Sequence, residues 1–192
     1  SAIVDSYFED GREDAAPLRR GNFMARARMM VLYDHSVTWG GLVVGTGNKT
    51  EMLIGYSTLW GDSASAFNPI GDLYKSQVRQ LSAAIGVPAD VINKAPSADL
   101  WPGQTDVEVV GFSYAEVDRI LYRLVDRRRR PTEVVADGFD AELVERVDRM
   151  VAGAEFKRQG LVDSHNHHFL VLDRRALTER IKLPRFGEAI GE

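Results

Sequence analysis

One short apolar run bounded by glycines, GLVVG at residues 41–45, is the clearest strand pattern in the chain. The sequence GTGNKTE continues from its last glycine, so the strand would lead through a glycine turn into a helix that begins near Asn48. A strand that feeds a helix is typical of a parallel sheet, yet one strand cannot form a sheet. The segment therefore predicts an α/β fold of which this chain carries only a part.

Most of the remaining chain has the periodicity of amphipathic helices. The residues predicted to cap the four clearest helices are Asn22 (for a helix over 22–33), Asp72, Ser113 and Asp140. Glu116 would complete a capping box with Ser113. Prolines and a glycine mark residues 94–106 as a long loop, and long loops in compact domains are often lids over a site.

Composition narrows the classes of function. The chain has 192 residues, of which 44% are hydrophobic and 27% charged, as is ordinary for a globular core. A net charge of −4 argues against a nucleic-acid partner, and no apolar run approaches the roughly 20 residues that span a bilayer. The absence of cysteine excludes disulfides and a thiol nucleophile and permits a cytoplasmic location. An amphipathic pattern already present at Ser1 predicts a start within a domain.

The glycine turn and the helix after it have the composition of an anion site. Gly45 and Gly47 let backbone approach a phosphate closely, and Thr46 adds a hydroxyl. Glu51 could reach the same phosphate through Mg²⁺, which takes carboxylates together with phosphate oxygens. The pattern is not a Walker loop, because no glycine directly precedes Lys49, and it is not the dinucleotide fingerprint, because Thr50 stands where a third glycine belongs. On local pattern alone, an ordinary strand-to-helix turn and a Glu stabilised by the helix dipole are simpler interpretations.

Three further groups of residues carry charge or metal-binding side chains. Arg26 and Arg28 lie on different faces of the predicted helix, so one can reach an anion while the other is solvated. The histidines of DSHNHHFL, residues 163–170, could bind a transition metal, although a solvated loop is simpler. The basic run at residues 126–131 permits a helix-turn-helix interpretation, against which the negative net charge argues.

Taken in order, six segments resemble the NAD synthetase family, whose members use ammonia or glutamine. They run from about residue 22 to 159 with similar spacing and are NFMARARMMVLYD, VVGTGNKTEMLIGYSTLWGD, NPIGDLYKSQV, KAPSADLWPGQTD, GFSYAEVDRIL and AEFKRQ. The family joins ATP, deamido-NAD and ammonia to give NAD, AMP and pyrophosphate through an adenylated nicotinate. The resemblance implies an adenine-nucleotide α-hydrolase-like α/β fold, with a Rossmann-like parallel sheet in flavodoxin-like layers, and a homodimer.

The resemblance also implies roles for individual residues. Those implied at ATP are Thr46, Lys75 and Ser97. The residue implied at Mg²⁺ is Glu51, and those implied at deamido-NAD are Arg26, Phe156 and Lys157. No side chain is implied as a nucleophile, because ammonia attacks an adenylate that the protein has only to position, stabilise and shield from water.

Three features depart from the family pattern. Leu59 and Ala66 stand where some members have a substrate-binding Lys and Asp, and Phe156 replaces a His. The Ser-Gly-Gly-x-Asp-Ser loop, which binds pyrophosphate and a second Mg²⁺, does not occur in the chain. We therefore expect residues 1–159 to be the C-terminal part of a synthetase domain and residues 160–192 a tail without an assigned role. The N-terminal part would be in another polypeptide or lost, and the alternative is a non-catalytic remnant that dimerises and at most binds nucleotide.

Overall fold

The computed structural model describes residues 2–9, 16–98, 100 and 111–159. The chain divides into two compact units, Ser1–Lys157 and Arg158–Glu192, and nearly all of the second lies outside the described residues. The predicted loop at 94–106 is described only in part, and the histidines of 163–170 fall outside. Within the described residues, every helix is too short or too polar to cross a membrane.

Nine α-helices and one π-helical turn build the described part of the chain. In chain order they are α1 (Ala2–Glu9), α2 (Pro17–Trp39), α3 (Lys49–Ile54), α4 (Lys75–Ala84), α5 (Ala89–Asn93), α6 (Tyr114–Leu121), α7 (Pro131–Ala136), α8 (Ala141–Gly153) and α9 (Glu155–Arg158). The π-helical turn, Tyr122–Asp126, continues α6.

The predicted strand at residues 41–45 is present only as one isolated parallel bridge, between Val44 and Phe67. The N–H of Gly45 donates to the Phe67 carbonyl oxygen at 2.8 Å. Leu42 and Val44 are 72% and 49% exposed, so this apolar segment is not covered. The prediction of a full strand is wrong for the described residues, because no second described segment pairs with it and lengthens the ladder.

The core lies where α3, α6, α7 and α8 meet. Its buried side chains are Leu53, Ile54, Tyr74, Phe112, Val117, Ile120, Leu121, Val134, Phe139, Val144 and Val147. Helical periodicity predicts one apolar face of α6 that contains Val117, Ile120 and Leu121, and these three side chains are fully buried. Each fully buried side chain of this kind contributes roughly 1.5–3 kcal/mol. The core therefore anchors α3 and, through it, the glycine turn that precedes α3.

Local capping signals locate some helix starts and miss others. Asp140 is confirmed as the N-cap of α8, where its side chain accepts a backbone hydrogen bond of 2.8 Å. Ser113 immediately precedes α6, but its side chain makes no capping hydrogen bond, so the predicted box with Glu116 is wrong. The prediction for Asn22 is also wrong, because α2 begins at Pro17, where a missing N–H costs nothing.

α4 begins at Lys75, three residues after the predicted cap Asp72, because tertiary partners satisfy its first N–H groups. The N–H of Lys75 donates to Thr50 Oγ1 at 2.9 Å. The N–H of Ser76 donates to Asp118 Oδ2 at 2.8 Å. Thr50 Oγ1 in turn donates to Asp118 Oδ1 at 2.6 Å. A hydroxyl on α3 and a carboxylate on α6 thus satisfy N–H groups that local capping leaves open, and no sequence window around α4 contains that signal.

Asp137, which directly follows α7, pairs with two arginines. We expect these ion pairs to stabilise the fold, and we expect acid to remove that stabilisation. The hydrogen bond from the Arg123 side chain, helped by the charge of Arg129, lowers the pKa of Asp137 against the opposing effect of burial. A carboxyl group with a lowered folded pKa stabilises the fold above its unfolded pKa, and that stabilisation disappears as pH falls through the lower folded value. We expect Asp137→Asn to lower the urea midpoint at pH 7, and the difference from wild type to shrink below about pH 3.8.

Asp148→Asn, an exposed site on α8, is the matched control, and its urea midpoint at pH 7 should stay close to that of wild type. A difference between Asp137→Asn and wild type that persists unchanged to pH 2.5, or roughly one unit below the unfolded pKa, contradicts this assignment.

Candidate functional site

A cavity of about 620 Å³ opens beside the glycine turn of residues 45–47. We call it the glycine-turn cavity, and its size is typical of a small-molecule site. Of the seven residues assigned roles from the resemblance, five line it: Thr46, Glu51, Lys75, Ser97 and Lys157. They come from four separate segments of the chain, since Thr46 and Glu51 share the turn and the first turn of α3, and the fold gathers them from positions up to 111 residues apart.

The free donors at this cavity belong to the glycine turn rather than to the end of α3. The N–H of Lys49, the first residue of α3, donates to the Leu73 carbonyl oxygen at 2.8 Å and is used within the protein. The N–H groups of Thr46 and Gly47 make no hydrogen bond to any described residue, and both residues line the cavity. The anion-binding capacity predicted for the turn and helix end therefore lies in the turn.

Glu51 caps the start of α3 and also places a carboxylate at the cavity wall, which Asp62 lines as well. Its Oε2 accepts from the N–H of Asn48 at 3.0 Å, and its own N–H donates to Asn48 Oδ1 at 3.1 Å, which completes a capping box. Its Oε1 accepts from Lys75 Nζ at 2.7 Å. The two side chains are only 16% and 23% exposed, so a partly desolvated cation and anion lie side by side at the cavity.

The carboxylate of Glu51 is a suitable ligand for a magnesium ion that is also bound to a phosphate. In the described residues, no group of three or more His, Cys, Asp or Glu is placed to hold a metal by itself. Mg²⁺ commonly takes one or two protein carboxylates and fills its other positions with phosphate oxygens and water. One carboxylate at the wall of an open cavity meets that requirement.

Lys157 holds the turn that follows α3. Its ammonium group donates to the carbonyl oxygens of Gly55 and Ser57, each at 2.7 Å. Burial lowers the pKa of Lys157, and the nearby charge of Asp62 acts in the opposite direction. Ala154 packs so tightly here that a Cβ on Gly55 would lie 2.6 Å from its Cβ. Two of the three ammonium donors thus position the cavity wall, and one remains for a ligand.

The structure separates two of the predicted deamido-NAD residues from the cavity. Arg26 is exposed and donates through Nε to the Leu59 carbonyl oxygen at 3.2 Å, and Phe156 is 59% exposed. Neither lines the cavity in the described part of the chain, whereas Arg28 does. Helical spacing carried a signal for Arg28, since it follows the buried Ala25 by three residues on the same face of α2.

The family model of NAD synthase matches residues 1–160 of the chain. The chain belongs to the NAD synthase family. This confirms the resemblance seen in six ordered segments. The residue roles implied by that resemblance stay predictions.

Relatives of the NAD synthase family are longer than this chain. The NH(3)-dependent NAD(+) synthetase of Trichlorobacter lovleyi is 60% identical over 157 residues, which cover 82% of this chain and 57% of the relative. The protein of the same name from Chlorobaculum parvum is 51% identical over 158 residues, with the same two coverages. The chain therefore spans a little over half the length of these curated relatives.

Two solved structures of this family show the same backbone arrangement. The NMN synthetase from Francisella tularensis superposes with a TM-score of 0.71 at 30% identity, over 86% of this chain and 64% of that one. The NH3-dependent NAD synthetase from Campylobacter jejuni superposes with a TM-score of 0.67 at 32% identity, over 86% and 62%. The described helices of this chain are thus arranged as in NAD synthase family members.

Proposed function

We propose that this chain is the nucleotide-binding part of a synthetase that amidates deamido-NAD to NAD, with ATP as co-substrate and ammonia as the nitrogen source. The observation that carries the proposal is one cavity, in a member of the NAD synthase family, lined by Thr46, Glu51 and Lys75. It combines unpaired backbone donors, an ammonium group and a carboxylate. A triphosphate with a divalent cation needs those three kinds of group.

The chemistry explains why no nucleophilic side chain is needed. A nicotinate carboxylate is a poor electrophile, and adenylation turns one of its oxygens into a good leaving group that ammonia can displace. The N–H groups of Thr46 and Gly47, the Lys75 ammonium and the Ser97 hydroxyl would bind and orient the phosphates. Mg²⁺, held by Glu51, would neutralise the charge that develops on the departing pyrophosphate.

Deamido-NAD would bind next to the phosphates. Of the three residues assigned to deamido-NAD, Lys157 lines the cavity, while Arg26 and Phe156 lie outside it. In the homodimer implied by the resemblance, deamido-NAD would lie near the subunit interface, where exposed residues can meet it. Exposed apolar side chains at the end of α2, among them Val37 and Trp39, favour such an assembly.

For the intact synthetase we propose the adenine-nucleotide α-hydrolase-like fold, with a Rossmann-like parallel sheet to which the bridge at Val44 belongs. Residues 1–159 would form part of that domain, and residues 160–192 receive no role. An upstream polypeptide carrying the pyrophosphate loop would complete the site, and a cytoplasmic location agrees with the cysteine-free composition. The alternative is a non-catalytic remnant that dimerises and at most binds nucleotide.

Calorimetry and turnover together test the proposal. ATP is titrated into the chain at millimolar MgCl₂, and we expect saturable binding at micromolar to millimolar concentrations, roughly the range of enzyme Michaelis constants. NAD formation from ATP, ammonium and deamido-NAD is then measured for the chain alone and with a polypeptide matching the N-terminal part of a relative. Because one solved neighbour is named an NMN synthetase, nicotinate mononucleotide is included as a competing substrate.

Uptake of ATP with turnover only after reconstitution supports the proposal. Uptake without turnover in either preparation supports the remnant. Absence of any ATP uptake, with or without the added polypeptide, contradicts the proposed synthetase.

A further inference from the structure

Asn68, in the segment beside the glycine turn, has an amide that is satisfied on one side only. Its Nδ2 donates to the Gly47 carbonyl oxygen at 2.7 Å. Its Oδ1 is buried and has no hydrogen-bond partner in the described structure. The amide orientation follows from the contact, because a carbonyl oxygen can only accept a hydrogen bond. A buried acceptor without a partner is rare because it lowers the stability of the fold. The amide orientation that lets Nδ2 bind Gly47 therefore costs stability at Oδ1.

The Gly47–Asn48 peptide plane is held from both ends. Asn68 binds its carbonyl oxygen, and Glu51 Oε2 accepts from its N–H at 3.0 Å. Because a peptide unit is planar, these two contacts together fix the orientation of the whole unit. Glycine at position 47 would otherwise permit the unit to flip, since it populates both halves of backbone conformational space.

Asn68 acts from outside the cavity. Gly45 and Gly47 line the glycine-turn cavity, whereas Asn68 does not. A Cβ added at Gly45 would lie 3.2 Å from Asn68 Cβ and 2.5 Å from Ser65 Oγ. The segment at residues 65–68 therefore packs directly behind the turn, and the N–H of Gly45 is tied to it through the Phe67 carbonyl oxygen.

We propose that Asn68 is a positioning residue that prevents the Gly47–Asn48 peptide from flipping and so keeps the turn able to bind a phosphate. This rests on the proposed function, in which the N–H groups of Thr46 and Gly47 bind phosphate. A flipped unit would move the carbonyl dipole and release the Asn48 N–H from Glu51. Asn68 would thereby position the turn and the Glu51 carboxylate together.

Two variants separate positioning from stability. Asn68→Asp has the same shape but sets a second acceptor against the Gly47 carbonyl oxygen. Asn68→Ala removes the donor together with the unpaired acceptor, so its melting temperature should stay close to that of wild type. Asn93→Asp, an exposed change of the same chemistry at the end of α5, is the matched control.

We expect both Asn68 variants to bind ATP with Mg²⁺ about tenfold to hundredfold more weakly, the usual effect of losing an outer-shell partner at a metal site. Without ligand, amide hydrogen exchange at Asn48, whose N–H is bound by Glu51 Oε2, should accelerate in Asn68→Asp, while Asn93→Asp resembles wild type in every measurement. A residue with only a structural role would instead lower melting temperature and affinity together.

Amide hydrogen exchange tests the role of Asn68 independently of the proposed function. If wild type takes up no ATP, the proposed function fails, yet exchange at Asn48 still reports on Asn68. Exchange rates in Asn68→Asp equal to those of wild type overturn the inference. ATP affinities within twofold of wild type in both variants overturn it as well.

Discussion

Glu51→Gln should weaken ATP uptake at millimolar Mg²⁺ by about thirtyfold, or roughly 2 kcal/mol at 1.4 kcal/mol per factor of ten. The variant keeps an oxygen that can accept from the Asn48 N–H, so the capping box and α3 should persist. It loses the negative charge that would hold the cation. Calorimetric titrations of ATP with and without MgCl₂ measure the difference.

Without Mg²⁺ the same substitution should have the opposite effect. Lys75 is paired with Glu51 at 2.7 Å, and phosphate would have to compete for it. Glu51→Gln frees the ammonium group and removes a carboxylate that repels phosphate, so metal-free ATP affinity should stay equal or rise. Such a reversal of sign distinguishes a metal-mediated role from general damage to the cavity.

Glu142→Gln is the matched control, because Glu142 is an exposed Glu in the first turn of α8. It should leave both titrations unchanged. Equal ATP affinity of Glu51→Gln and wild type at every Mg²⁺ concentration would show that Glu51 does not hold a cation with the nucleotide.

The second large effect concerns stability. We expect Asp118→Ala to lower the free energy of unfolding by about 3 kcal/mol, since it leaves the Thr50 hydroxyl and the Ser76 N–H unpaired at roughly 1–3 kcal/mol each. Asp118 is only 6% exposed, so water cannot readily replace the lost carboxylate. A typical domain has a total stability of about 5–15 kcal/mol, which makes this a large fraction.

A graded series makes the result interpretable. Asp118→Asn keeps one acceptor and should lose less stability than Asp118→Ala, and the exposed Glu116→Ala on the same helix should lose almost none. Urea unfolding followed by circular dichroism gives the three values. An unfolding free energy of Asp118→Ala within about 0.5 kcal/mol of the Glu116→Ala value contradicts the buried-network account.

Because Lys75 is the first residue of α4, the Asp118 network also links stability to the cavity. Asp118 and Thr50 satisfy the first N–H groups of α4, and Lys75 projects from that same turn toward Glu51. Loss of Asp118 should therefore weaken ATP binding even where the variant remains folded.

Local patterns predicted the parts of this protein that depend on neighbours in sequence. The family follows from six ordered segments, the start of α3 from Asn48 and the buried face of α6 from its periodicity. Hydrogen-bonding caps and apolar stripes act within one or two helical turns, so a sequence window contains them whole. Five of the seven residues assigned through the resemblance line one cavity, and their roles there stay predictions.

Only the tertiary structure decided the features that depend on distant partners. Asp118 starts α4 from another helix, Asn68 holds the glycine turn from a separate segment, and Arg28 rather than Arg26 lines the cavity. The strand predicted at residues 41–45 is reduced to a single bridge, since strands depend on paired neighbours. A buried polar group needs a hydrogen-bond partner. When that partner is distant in sequence, only the folded structure shows which side chain it is.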